Sequence, residues 1–488
     1  MSVFVQYKNV KVNKHKMNDQ ITSILFELFK QWCGQVPTQC SELPPSGSHR
    51  RYVRLSCNEY TAIGVYNADQ KENEAFISFS QSLLKAGVRV PKIYGQQLAY
   101  GVYLQQDLGN VTLYSLLTQV RKENGGQFTP ELAELYKKVL AELVKIQTDG
   151  TVTIDFQKCY PRAAFDRQSM MWDLQYFKYY FLKLSNTMFD EQALENDYNQ
   201  LIDYLLEVPS NYFLYRDFQS RNIMIVDNEP WFIDYQGGRR GALQYDVASL
   251  LYDAKADIPQ PIRIELLNYY MQQANIEDKV DFENHYYAYV LIRIMQAMGA
   301  YGYRGFFEKK AHFLKSIPFA LSNMSSIIDN HPLPLELPEL MRVLTDITTS
   351  ERLLSIACTT KLKVTVSSFS YKHGIPTDNS GNGGGFVFDC RALPNPGRYE
   401  KYKQLTGRDA EVIEFFNNVS EEMNSFINPI KQIISQSVEK YMERGFTNLA
   451  INFGCTGGQH RSVFCAEQIA QWLTKTYDIE VVLKHWEH

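Results

Sequence analysis

Nowhere in the 488 residues is there a G-x-x-x-x-G-K-[ST] loop, which argues against a P-loop nucleotide enzyme. No run of eighteen apolar residues occurs, so no membrane-spanning helix is expected. The start, MSVFVQYK, lacks the basic-then-apolar layout of a secretory leader, and a cytoplasmic location is the expectation. Eight cysteines are scattered with no C-x-x-C pair. That pattern argues against a zinc site or a disulfide framework and suits reduced thiols in a reducing compartment. The net charge of -4 promises no bulk attraction to nucleic acid or anionic membrane. No long-range repeat relates one half to the other. What remains is a globular chain, 45% apolar, long enough for two or more domains.

The most informative stretch is 214–235. Asp217 and Asn222 are separated by four residues, and Asp234 lies on the next apolar run beyond a polar turn at 227–230. Phosphoryl transfer asks for positioning and charge neutralisation rather than covalent work. A carboxylate must orient the acceptor hydroxyl, and Asp217 is the candidate. Mg²⁺ prefers hard oxygen ligands, which Asn222 and Asp234 can supply. The runs around Ile223 and Ile225 and around Trp231 and Ile233 read as two paired strands that set Asn222 beside Asp234. A lone D-x-x-x-x-N is also an ordinary turn; the full string is more specific. Asp246 opens an apolar helix, where it serves either as a cap or, with Arg216, as a brace for the loop.

This segment resembles the aminoglycoside-phosphotransferase family, a branch of the protein-kinase-like fold. Within it the likeness is greatest to the anomeric N-acetylmuramate and N-acetylglucosamine kinases of bacterial cell-wall recycling. The strings that carry it are 51–54 (RYVR), 87–91 (GVRVP), 106–109 (QDLG), 215–222 (YRDFQSRN), 233–236 (IDYQ), 245–251 (YDVASLL), 293–299 (RIMQAMG) and Ile317-Pro318. The resemblance covers about residues 20–330 and implies an ATP- or GTP- and Mg²⁺-dependent sugar kinase. It departs in two places. Tyr215 stands where kinases usually carry His. The strand 62–66 (AIGVY) also lacks the phosphate-pairing lysine. Arg51 or Arg54 is expected to supply that charge, since a guanidinium can grip phosphate through two parallel bonds. Glu72 and Glu74 then read as favourable charge in a helix first turn. Ser46, Gly47 and Ser48 suit either a phosphate lid or a plain turn. Gln105, Gln106 and Asp107 should form the linker where adenine docks.

Three prolines in 331–338 read as a stiff connection, followed by a helix to about 357. An alternating strand at 362–370 starts a second domain. The strand 449–453 runs into 454–462 (GCTGGQHRS) and a helix. There Gly457 and Gly458 let backbone N–H groups approach an anion, helped by Thr456, His460, Arg461 and Ser462. Cys455 and Arg461 are also spaced C-x-x-x-x-x-R before Ser462, the signature of cysteine phosphatases. Otherwise Cys455 is a small buried residue at a strand end.

Residues 362–488 resemble the C-terminal domain of the RNase adapter protein RapZ. The shared strings are 374–376 (GIP), 388–391 (FDCR), 393–396 (LPNP), 406–409 (TGRD) and 454–463 (GCTGGQHRSV). The resemblance favours the buried-residue reading of Cys455 and implies a site for an amino-sugar phosphate. It gives His373, Asp389, Arg391, Thr456, Gly457, His460 and Arg461 roles in holding that ligand. That family's N-terminal P-loop domain is replaced here, and its basic RNA-holding tail is not found. Residues 361–488 carry 14 basic and 14 acidic residues, so little RNA affinity is expected.

The expected fold is therefore α+β: a protein-kinase-like bilobal domain over 1–330 followed by a separate smaller α/β domain over 362–488. The small lobe should span about 20–106, the large lobe about 107–330, and the connection 331–361. The expected function is phosphorylation of an amino sugar, with the second domain as sensor or regulator. The alternatives are an adapter with a degenerate kinase domain and a bifunctional kinase–cysteine phosphatase. Oligomeric state is not legible.

Overall fold

The computed structural model describes residues 11–12, 19–44, 50–357, 361–377, 385–444 and 446–487. Ser46, Gly47 and Ser48 lie outside these. Two compact units emerge: the described residues up to Gly299 with Phe319–Thr349, and Ala300–Pro318 with the described residues from Ser350 onward. The units therefore interleave along the chain, where the sequence suggests a single boundary near 330.

The first unit opens with a six-stranded sheet of β1 (Lys11–Val12), β2 (Gln39–Glu42), β3 (Arg51–Cys57), β4 (Tyr60–Tyr66), β5 (Ile93–Gln97) and β6 (Val102–Gln106). Its order is β1-β2-β3-β4-β6-β5. A two-residue turn joins β3 to β4, with Asn58 at φ 50°, a left-handed conformation that asparagine tolerates. Helix Asp19–Cys33 buries Leu25 and Phe29 against Val53, Leu55, Ala62 and Leu104. Each such side chain contributes about 2 kcal/mol by leaving water. Helix Gln70–Lys85 starts where the Asp69 carboxylate accepts the Glu72 N–H at 3.1 Å.

The rest of this unit is mostly helical, with two small sheets. β7 (Tyr212–Leu214) pairs antiparallel with β10 (Arg239–Gly241), and β8 (Ile223–Val226) pairs antiparallel with β9 (Glu229–Phe232). The β8–β9 turn is Asp227-Asn228, with φ 51° and 60°; both residues accept positive φ, as a tight hairpin matching strand twist requires. Helix Pro338–Thr348 belongs to this unit: the Leu340 N–H reaches Asp197 Oδ2 at 2.8 Å, and Glu339 accepts the Asp190 N–H at 2.7 Å.

The second unit is built on β11 (Lys363–Ser370), β12 (Gly385–Asp389), β13 (Asn448–Cys455) and β14 (Glu480–His485). All pair in parallel, in the order β12-β13-β11-β14. Central β11 is buried on both faces over Ser367–Ser370, as a parallel sheet covered by helices demands. Helices Arg461–Thr476 and Ser420–Arg444 supply much of that cover. The register sets Ser370 opposite Cys455 and Asp389 opposite Gly454. The carboxyl ends of these strands therefore gather the candidate residues, at the place where open α/β sheets bind ligands.

Candidate functional site

The hairpin β8–β9 does what its sequence implies. Ile223 faces Phe232, and the Ile233 N–H donates to the Asn222 carbonyl at 3.1 Å, so Asn222 and Asp234 are neighbours. The Asn222 amide N–H donates to the Asp217 carbonyl at 2.9 Å. That bond consumes the amide's donor side and leaves its oxygen for a ligand. Asp234 sits at φ 71°, and one of its oxygens accepts from the Gln236 amide at 2.8 Å. Among the described residues, no hydrogen bond reaches the Asp217 carboxylate, which is partly exposed. No cluster of three His, Cys, Asp or Glu able to hold a metal exists among the described residues. The donor set here is instead one carboxylate and one amide oxygen. Two hard oxygens fit Mg²⁺, which keeps waters and takes phosphate oxygens for its other positions.

The loop carrying Asp217 is held from below. The Asp246 carboxylate accepts the Tyr215 N–H at 2.7 Å and the Arg216 N–H at 3.0 Å. Burial pushes its pKa up to about 7, against the lowering effect of these two N–H bonds. Arg216, strained at φ 83°, donates to Asp173 and to the Tyr245 hydroxyl, both at 2.6 Å. Asp253 adds a brace that sequence reasoning missed: it accepts from the Ser220 N–H at 3.2 Å and from the Ser220 hydroxyl. Tyr215 is buried, and its hydroxyl donates to the Ile233 carbonyl, which joins the loop to the Asp234 strand. Tyr235 stacks on Phe76 at 4.8 Å and shares a 2.6 Å hydrogen bond with Ser80, tying that strand to helix Gln70–Lys85.

Both arginines expected to supply the phosphate-pairing charge are engaged with carboxylates. Arg51 is paired with Glu42 at 2.7 Å, on the neighbouring strand. Arg54 is paired with Asp107 at 2.6 Å and also reaches the Gly109 carbonyl, so it clamps the linker. Arg50 is the residue that feels Asp234. It is buried, it pairs with Glu72 at 3.1 Å, and it lies over the Phe76 ring at 6.0 Å. Burial works against its charge, but Tyr103, Tyr52, Asp234 and Glu72 together raise its pKa. Arg50 and Glu72 thus form a cation–glutamate pair between sheet and helix, although the strand lysine is absent. Of the linker residues, Gln105 is buried with its side-chain oxygen unpartnered, and Gln106 accepts the Lys92 N–H at 3.3 Å.

In the second unit, β13 ends at Cys455 and helix Arg461–Thr476 begins six residues later. In the turn between, Gly458 has φ 68°, which favours glycine, and Gly407 of the neighbouring 406–409 loop packs so closely that a Cβ on it would lie 2.3 Å from the His460 carbonyl. The Cys455 sulfur lies 3.2 Å from the Ser462 hydroxyl. Burial raises the pKa of this thiol, but bonds from the Ser462 hydroxyl and the N–H groups of Ser462, Gly458 and Gly457 outweigh it and hold it below its ordinary value. Thr456, Gly457, His460 and Arg461 line one cavity with Cys455. Asp389 pairs with Arg391 at 2.6 Å, and Arg391 lies over the Tyr371 ring at 4.2 Å. His373 is exposed and pairs with Glu487 at 2.7 Å. No described helix is long and apolar enough to cross a membrane.

Comparison with known proteins agrees with both halves. Residues 47–282 match the phosphotransferase enzyme family, and residues 362–488 match the RapZ C-terminal domain. A nucleotide-binding protein of Thermosipho melanesiensis is 31% identical over 186 residues, covering 36% of this chain and 64% of that one. One from Thermosipho africanus is 38% identical over 137 residues, covering 28% and 46%. The chain thus spans less than two thirds of these relatives. A choline kinase of Cryptosporidium parvum superposes with a TM-score of 0.46 at 11% identity, over 66% of this chain and 99% of that one. The ADP-bound aminoglycoside phosphotransferase APH(2'')-Ib does so with 0.42 at 11%, over 69% and 99%. The chain thus carries a match to the phosphotransferase enzyme family over 47–282 and one to the RapZ C-terminal domain over 362–488.

Proposed function

We propose that the first domain transfers the terminal phosphoryl group of ATP to the anomeric hydroxyl of an amino sugar, of the N-acetylmuramate or N-acetylglucosamine type. The observation that supports this reading is the hydrogen bond from the Asn222 amide to the Asp217 carbonyl, which ties the loop carrying the open Asp217 carboxylate to the residue expected to supply one metal-ligand oxygen. Asp217 accepts the proton of the sugar hydroxyl as phosphorus is attacked. Asn222 and Asp234 would hold Mg²⁺, which would supply charge neutralisation at the phosphate oxygens. Arg50, oriented by Glu72, supplies the cation that the missing lysine would give. This weakens the degenerate-kinase reading, whose main support is that absent lysine. Gln105, Gln106 and Asp107 form the adenine linker.

The amino-sugar assignment rests on the resemblance in the N-terminal strings and on the attached RapZ domain. That second domain binds an amino-sugar phosphate as sensor, through His373, Asp389, Arg391, Thr456, His460 and Arg461. Regulation follows only if this ligand binds active and inactive kinase states with different affinity. The test is ADP release with ATP, Mg²⁺ and a panel of free amino sugars. Release dependent on an N-acetylated amino sugar supports the reading; nucleotide binding with no release on any sugar refutes it.

A further inference from the structure

The loop at the end of β13 carries more chemistry than holding an anion requires. The cavity it lines is about 360 Å³, at the small end for ligand sites. Cys455 lies against it, with sulfur 3.2 Å from the Ser462 hydroxyl. Arg461 is more than nine-tenths buried and lines the same cavity. Its Nη1 donates to the Arg391 and Leu393 carbonyls at 2.8 and 3.3 Å. Its buried Nε has no hydrogen-bond partner, and among the described residues no hydrogen bond is made by Nη2. That leaves the Nε–Nη2 edge, the one that grips two phosphate oxygens in parallel, unused by the protein. His460 is likewise buried, and its Nε2–H donates to the Tyr402 carbonyl at 2.8 Å. Its Nδ1 faces Gly397, another wall of the cavity.

A cysteine, a buried arginine and an imidazole line one small cavity, with Cys455 and Arg461 spaced C-x-x-x-x-x-R, and this is the arrangement in which sulfur attacks phosphorus. We propose that the RapZ-like domain hydrolyses small phosphate monoesters, with Cys455 as nucleophile.

The Cys455 sulfur forms a bond to phosphorus while the ester P–O bond breaks, and Arg461 holds two of the phosphate oxygens. The leaving oxygen takes the proton of the His460 imidazolium at Nδ1. Water then gives a proton back to that nitrogen as its oxygen attacks phosphorus. The S–P bond breaks, which restores the thiolate and releases inorganic phosphate. The proposal is independent of the kinase reading.

The test uses the full chain with EDTA and no nucleotide, so that kinase chemistry is silent. Inorganic phosphate release is followed from p-nitrophenyl phosphate and from a set of hexosamine phosphates. The wild type is expected to turn over at least one ester, and Cys455→Ser to lose roughly 10²-fold or more of that rate. No release from any ester by the wild type, or release unchanged in Cys455→Ser, overturns the proposal. Should the serine variant fail to melt cooperatively, quenched wild-type protein decides. A phosphate mass on Cys455 during turnover supports the mechanism, and turnover without that adduct refutes it.

Discussion

Replacing Arg50 by methionine removes the cation that the kinase reading places against the nucleotide phosphates and keeps much of its apolar bulk. Two effects separate cleanly. The Arg50 side chain is 2% exposed, but that of its partner Glu72 is 39% exposed. Stranding Glu72 therefore costs well under the roughly 3–5 kcal/mol of a broken, fully buried pair, because water reaches the orphaned carboxylate. A stability loss of about 1 kcal/mol is expected, near the upper end for exposed pairs. The catalytic loss is larger. A charge-assisted hydrogen bond contributes about 1.5–3 kcal/mol, so kcat/KM for ATP should fall roughly 10- to 150-fold. Arg50→Lys should recover part of this, since lysine keeps the charge but not the fork. The assay is steady-state ADP release at saturating sugar, alongside a thermal melt. Full kcat/KM in Arg50→Met, with loss instead in Arg51→Met or Arg54→Met, would refute the reasoning.

Three further outcomes follow from the same geometry. Asp217→Asn should cut turnover by about 10²–10⁴ while ATP still binds; near-wild-type turnover would remove Asp217 from the base role. Asp246→Asn leaves one of two buried N–H groups facing an amide donor and should destabilise the fold by about 1–3 kcal/mol in chemical denaturation; an unchanged midpoint would contradict the bracing role. Asp246 also makes a pH signature. Its folded pKa, about 7, lies above its ordinary value of 3.8, so the folded state binds its proton more tightly. Its contribution to stability should therefore fall as pH rises from about 4 to about 7 and stay flat above, with Asp246→Asn lacking that component.

The parts legible in the sequence were those whose partners are close in the chain. Asn222 and Asp234 are joined by one tight hairpin, so alternation plus an Asp-Asn turn was enough to set them side by side. Asp246 needed a longer reach to Tyr215 and Arg216, but its place at an apolar helix start gave it away. The Arg50–Glu72 pair was missed because it depends on which strand residue faces a helix across the lobe. In the string 49–51, Arg50 and Arg51 look alike; only burial separates them, with Arg51 turned to Glu42. Glu72, read as helix-start charge, does sit in that first turn, but it also pairs with Arg50. The same limit hid Asp253, whose contact with Ser220 spans 33 residues. At Cys455 the spacing to Arg461 was visible. The 3.2 Å approach of its sulfur to the Ser462 hydroxyl depends on loop geometry that letters do not carry.

The most direct measurement is phosphorus NMR of the product formed from ATP, Mg²⁺ and free N-acetylmuramate or N-acetylglucosamine. The account predicts a new phosphate signal coupled to the anomeric proton of the sugar, absent with Asp217→Asn. A phosphate on another hydroxyl would contradict the anomeric assignment, and no phosphorylated sugar from any of the panel would contradict the kinase reading itself.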